Sequence, residues 1–162
     1  MATLNSGARK KGIRKEPLDN LGVFKSIEEV PELYHLSTHS REYEDRDVWA
    51  EWMTDEKDGL AESTRKYKYG RAEKLWKSHM ENRGRHHALA NPSDVESFLA
   101  DQLDQVQKET VWNNRYDQIY QFYDWLTFHA DYPHVYNPVL MAAVNRGAAR
   151  EMWDYRVQKL IK

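Results

Sequence analysis

From residue 41 onward the apolar side chains return every three or four positions, and that spacing confines the chain to helices packed on helices. Tyr43, Val48, Trp49, Trp52 and Met53 predict a short helix that stops before Gly59. Ser63 or Thr64 is the expected cap of the next, because a hydroxyl accepts from amides that a first turn leaves unpaired. In that helix Tyr69, Ala72, Leu75, Trp76, His79 and Met80 share one side. At about 100° per residue, Lys66, Arg71, Lys74 and Lys77 fall largely on the other. Gly84 marks the exit. Asn91-Pro92-Ser93-Asp94 opens a third helix, with Glu96 three residues after Ser93 as a capping box requires. Its apolar stripe is Val95, Phe98, Leu99, Leu103 and Val106. Thr110 is the expected cap of the fourth, whose broad stripe of Tyr116, Ile119, Tyr120, Tyr123 and Leu126 predicts packing against more than one neighbour. Asn137-Pro138 starts another helical piece, and Gly147 separates it from a last helix carrying Met152, Trp153, Val157, Leu160 and Ile161. No strand period competes. The expected fold is all-α, four main helices with a short C-terminal helical extension.

The first forty residues lack such a period. Gly7, Gly12 and Pro17 punctuate a basic cluster of Arg9, Lys10, Lys11, Arg14 and Lys15, which reads as a mobile arm. Ser26 with Glu28 and Glu29, and then Pro31, predict short helical turns. The expected organisation is an arm and lead-in over 1–40, a helical domain over 41–145 and a helical tail over 146–162.

Composition narrows the chemistry. Apolar residues make up 40% of 162, enough for a core. The chain has no cysteine, so disulfides, thiolate catalysis and the common structural zinc sites are excluded. No apolar run approaches a membrane span, and no apolar stretch follows the basic amino terminus as a secretory signal would require. A soluble, cytoplasmic protein without a membrane partner is the expectation. No glycine-rich phosphate loop and no His-Glu-x-x-His motif occurs, and no cofactor is expected. The acids of the 42–58 stretch read as solvated surface, and His79 as a residue at the core edge.

A net charge of −2 hides blocks of alternating sign. Residues 21–62 carry −8, residues 63–87 carry +6 and residues 88–131 carry −6. A basic block between acidic ones is a local field, and a polyanion responds to local fields rather than to the total. Arg65, Lys66, Arg71, Lys74 and Lys77 supply cations suited to phosphates. Trp112, Asn113, Asn114, Arg115 and Gln118 offer an aromatic ring, amides and a guanidinium in the first turns of the fourth helix, where they are expected to be exposed to phosphates or base edges.

Taken in order, Val48-Trp49-Ala50-Glu51-Trp52-Met53, Gly59 through Leu75-Trp76, Asn91 through Leu99, Thr110 through Leu126 and Asn137-Pro138 resemble the core-binding, SAM-like amino-terminal domain of tyrosine recombinases and phage-type integrases. The resemblance covers residues 46–141. It implies a four-helix clamp on one side of duplex DNA, with Thr64, Arg65, Lys66, Lys68, Arg71, Lys74 and Lys77 on one DNA-facing helix and Trp112 to Gln118 on the other. Of these, Arg71, Lys74 and Lys77 rank first as phosphate contacts. The family's catalytic arginine, lysine, histidine-x-x-arginine and late tyrosine have no counterpart after Asn137-Pro138, and His129 and Tyr155 do not replace them. The resemblance therefore implies a stand-alone or truncated, non-catalytic DNA-binding module, accessory to recombination or integration, with a recombinase or a second copy bound through the C-terminal helix as a further partner. The other expectation is a protein-interaction module that keeps the fold without binding DNA, motivated by the acidic 41–62 block and the amphipathic tail.

Overall fold

The structure is a computed structural model in which residues 12 and 14–161 are described. Among them there is no strand. Four 3-10 turns (Pro17–Asn20, Ile27–Glu29, Glu32–Tyr34 and Leu36–His39) lead into the helices α1 (Ser40–Tyr43) and α2 (Val48–Glu56). Then come α3 (Glu62–Thr64) and α4 (Arg71–Asn82), joined without a break by a π-helical turn, Arg65–Gly70. After α5 (Pro92–Gln105), α6 (Lys108–Val111) and α7 (Asp117–Phe128) are joined by a second π-helical turn, Trp112–Tyr116. Two short rods thus become two long ones. The chain closes with α8 (Pro138–Ala142) and α9 (Ala148–Ile161).

Trp49 and Trp52 of α2, Trp76 of α4, Phe98 and Leu99 of α5, and Tyr116, Ile119, Phe122, Tyr123 and Leu126 of the second rod fill one core. Trp49 meets Trp52 edge-on at 4.9 Å, and Trp76 meets Phe98 likewise at 5.1 Å, the arrangement ring quadrupoles favour. His79 sits at the core edge, stacked on Trp76 with Nε2 bonded to the Asp94 carbonyl, as its place on the apolar side predicts.

The sharp exit at Gly84 has a backbone cause. Gly84 takes φ +74°, a left-handed conformation costly to other residues. The Arg85 amide then reaches the Met80 carbonyl and the Gly84 amide that of Glu81, the paired bonds of a Schellman ending. The chain next passes through the core as residues 86–90, where water cannot satisfy its backbone. Trp76 Nε1 and the Tyr123 hydroxyl both donate to the His87 carbonyl, at 2.8 and 2.6 Å. His134 Nε2 donates to the Ala88 carbonyl, and the Ala90 amide donates to the Tyr123 oxygen. His87 Nε2 accepts from the Trp49 amide at 3.1 Å, which requires a neutral ring.

Three caps differ from the sequence expectation. Glu62 already lies within α3, so Ala61 occupies the cap position and neither Ser63 nor Thr64 caps it. The second rod starts at Lys108, which puts Thr110 inside the helix rather than at its cap. At α5 the carboxylate that reaches back is Asp94, whose Oδ2 accepts from the Asn91 amide at 2.8 Å, so the box is shifted from Ser93–Glu96 to Asn91–Asp94. Arg83, at 2.5 Å, and Arg85 neutralise this fully buried carboxylate. Asn137, by contrast, caps α8 where Asn137-Pro138 predicts a start, with Oδ1 accepting from the Val139 and Leu140 amides.

Glu96 is released from its own helix for a longer reach. Its carboxylate accepts from the Ala148 and Ala149 amides at 2.7 and 2.9 Å, placing an anion on the positive end of α9. That helix packs along α5 and α8, with Trp153 buried against Tyr120 and its Nε1 bonded to the Lys15 carbonyl. The tail therefore turns its aromatic face inward. Arg14 and Lys15 belong to the same corner, Arg14 Nη1 donating to the Asp19 carbonyl. Arg9, Lys10 and Lys11 lie outside the described residues.

Two predictions follow from these contacts. A Cβ at Gly147 would stand 2.5–2.9 Å from the Glu96 carboxylate and push it off the α9 amides. Glu96→Ala and Gly147→Ala should each cost about 1 kcal/mol in urea denaturation, the usual worth of a helix cap. The double variant should cost less than their sum, because one cap is lost only once. Burial holds the pKa of His87 down to about 3 and that of His134 down to about 4. Unfolded rings take up protons from about 6.5, so below that pH the unfolded chain binds more protons and acid favours it. From pH 7 to pH 5 each ring should withdraw about 2 kcal/mol of stability. His87→Gln should remove its share of that pH dependence in urea midpoints.

Candidate nucleic-acid interface

The two π-helical turns pack against each other, and α4 runs beside the second turn. A π-turn bonds residue i to i+5, so it shifts every side chain beyond it relative to an ordinary helix. In the first rod the shift aligns cations. Lys66 and Arg71 are five apart across the π-turn, and Arg71 and Lys74 three apart in α4, so the three make one row along the rod. All three are exposed, as is Lys68 on another side. None of the four has a carboxylate partner among the described residues.

The remaining cations of this block are engaged. Arg65 is half-buried and donates from Nη2 to the Lys57 and Asp58 carbonyls, closing the α2–α3 loop. Lys77, ranked among the first phosphate contacts from sequence, bonds instead to Glu73 at 2.5 Å and Asp47 at 2.9 Å. Burial opposes its charge, but those two carboxylates raise its pKa overall. Glu73 lies one turn before Lys77 on α4, and the bundle delivers Asp47 from the start of α2. The row ends at Lys74.

The second rod departs further from expectation. Asn114 leaves helical geometry, with φ −142° and ψ 29°, and the residues after it turn inward. Arg115 is 7% exposed and Gln118 only 1%, which corrects their expected placement on an outer face. Arg115 Nε donates to Gln102 Oε1 at 2.6 Å and Nη1 to Asn114 Oδ1. Gln118 Nε2 donates to the Asn113 carbonyl at 2.8 Å. Trp112 is half-buried beside Tyr116 and Tyr155. Asn113 alone of the group is exposed, its amide bonded to Glu109. Arg71 is close enough to Arg115 that, after burial itself, its like charge lowers the Arg115 pKa. The structure thus brings Arg71 and the 113–115 stretch together, keeps Lys66 and Lys74 in line with Arg71, and removes Arg65, Lys77 and Gln118 from the surface set.

Gln102 joins this site without having been singled out. Its signal is present in the sequence: it stands between Leu99 and Val106 in the apolar stripe of α5, where a polar side chain needs a partner.

Of the acids of the 42–58 stretch, Glu44, Asp45, Glu56 and Asp58 are exposed, their carboxylates unbonded among the described residues, as the solvated-surface reading expects, and the others hold partners. Glu51 takes a two-pronged bond from Arg46 at 2.7 and 2.9 Å and a third from the Tyr132 hydroxyl. Asp47 also accepts from the Ala50 amide, and Asp55 accepts from Trp125 Nε1. Among the described residues no three histidines or carboxylates gather into a metal-holding group, and no helix is long and apolar enough to cross a membrane.

Comparisons of the chain with protein-family models, with curated proteins and with solved structures found no match.

Proposed function

We propose that this protein binds duplex DNA without catalysing a reaction on it, through the face where the two rods meet, and that it serves as an accessory to recombination or integration. The template for this reading is the four-helix, SAM-like core-binding domain that the sequence resembles. One observation carries it: Lys66, Arg71 and Lys74 form an exposed row with no carboxylate partner among the described residues, while Lys77, Arg83 and Arg85 of the same basic block are paired. Holding bare like charges in a row costs the folded state self-repulsion, and a polyphosphate backbone relieves it. Lys77 neutralises Glu73 within the same helix, which removes an acid that would repel DNA beside the row. Asn113 at the rim supplies an exposed amide for a base edge or a sugar oxygen. For the alternative of a docking module without DNA, Trp153 is buried and α9 packs inward, which leaves the acidic 41–62 block and the half-exposed Leu160 and Ile161 as its motives.

Fluorescence anisotropy of labelled random-sequence duplex across a salt series tests the proposal. The logarithm of affinity should fall linearly with the logarithm of salt, by about 0.9 for each phosphate neutralised. Replacing Lys66, Arg71 and Lys74 together by alanine should flatten that slope by about 2–3 and weaken binding on every sequence alike. Lys77→Ala should leave the slope unchanged. An absence of duplex binding at low salt overturns the reading.

A further inference from the structure

Arg115 is the one buried arginine among the described residues, and it is not paired with an acid. The more exposed guanidinium groups of Arg46, Arg83, Arg85, Arg150 and Arg156 all bond to carboxylates. Arg115 is the costly case, since the cation most removed from water most needs a counter-charge. Gln102 Oε1 and Asn114 Oδ1 fix the plane of the Arg115 guanidinium but carry no net charge. Its remaining nitrogen, Nη2, has no bonding partner among the described residues and is not sealed from solvent. Arg71, exposed and itself without an acid, adds repulsion on top of burial.

A group that is pre-oriented, uncompensated and crowded by a second cation is built to receive an anion. We infer that Arg115 and Arg71 form a receptor for a single oxyanion of the phosphate type, with Arg115 as the oriented fork and Arg71 as the outer arm. Gln102 and Asn114 are its positioning residues. The planar guanidinium suits two oxygens of a tetrahedral anion, and two positive charges suit phosphate better than a carboxylate. The inference rests on the DNA-binding reading in one respect: the oxyanion is taken to be a backbone phosphodiester, held where the second rod's π-turn meets the first rod. Free phosphate shares that chemistry and serves as the minimal probe.

The test follows the Arg115 Nε–H resonance in nitrogen–proton correlation spectra of the full chain, titrated with inorganic phosphate against sodium chloride at matched ionic strength, and separately with duplex DNA. Phosphate should shift that resonance saturably where chloride does not, and the duplex should shift it in the same direction. Arg115→Gln should lower phosphate affinity about tenfold, the worth of one charge-assisted contact, and flatten the DNA salt slope by about one. Should Arg115→Gln fail to fold, Arg71→Gln carries the test, because an exposed side chain can be replaced without disturbing the core, and it should weaken phosphate several-fold. A resonance unmoved by both probes, or phosphate affinity unchanged in Arg71→Gln, overturns the receptor. Duplex binding that persists with Arg115 silent overturns the receptor and leaves the DNA reading standing. A phosphate response without duplex binding does the opposite.

Discussion

The abutment of two π-helical turns is the constraint on which the candidate face depends. Each turn carries one residue more between bonded groups than an α-helix does, and the two lie side by side where the long rods cross. In the first rod the added residue draws Lys66 into line with Arg71 and Lys74. In the second the backbone leaves helical geometry at Asn114, and Arg115 after it lies in the interior. The first rod thus exposes three cations while Arg115 on the other is buried, and Arg71 is near enough for its like charge to add to burial in lowering the Arg115 pKa. π-Turns are uncommon and recur at functional sites, and a pair in contact is consistent with a surface shaped for a ligand.

Around that face the molecule is conservative in its electrostatics. Asp94, fully buried, is answered by Arg83 and Arg85, and Glu51 by Arg46 and Tyr132. Glu109 is held by Tyr155 and Lys159 on the rim. Several acids of the blocks that outnumber the basic one are spent on internal bonds, Asp47, Glu51 and Asp94 among them, while Lys66, Lys68, Arg71 and Lys74 of the basic block have no carboxylate partner among the described residues. A chain of net charge −2 can in this way present a positive strip. The core through which residues 86–90 pass holds that strip in place. Trp76 and Tyr123, one from each rod, both donate to the His87 carbonyl and so tie the rods to a common point.

Much of this was legible in the sequence wherever the cause is local. Apolar spacing located the helices, Gly84 marked a true left-handed exit, and Asn137-Pro138 marked a true cap. What was not legible depends on register or on distant contacts. A fixed step of about 100° cannot anticipate a π-turn, so Arg115 was placed outside, whereas Gln118 lies beyond the turn, four residues before buried Phe122, where ordinary helical spacing already puts it inside. Glu96 looked like the partner of Ser93 three residues away, but its bonds are to amides 52 and 53 residues on. Lys77 was read as free like Lys74 although Glu73, four residues before it, announces one partner; only Asp47, delivered from α2, was beyond local reading. Gln102 was the exception, visible as a polar interruption of an apolar stripe.

The claim that the face at the rod crossing contacts nucleic acid is tested most directly by backbone amide shift mapping of the full chain with a short duplex at low salt. The account predicts that the shifts concentrate in residues 66–74 and 113–115. Shifts concentrated instead along α2 or the outer side of α9, with those two stretches unmoved, would contradict it.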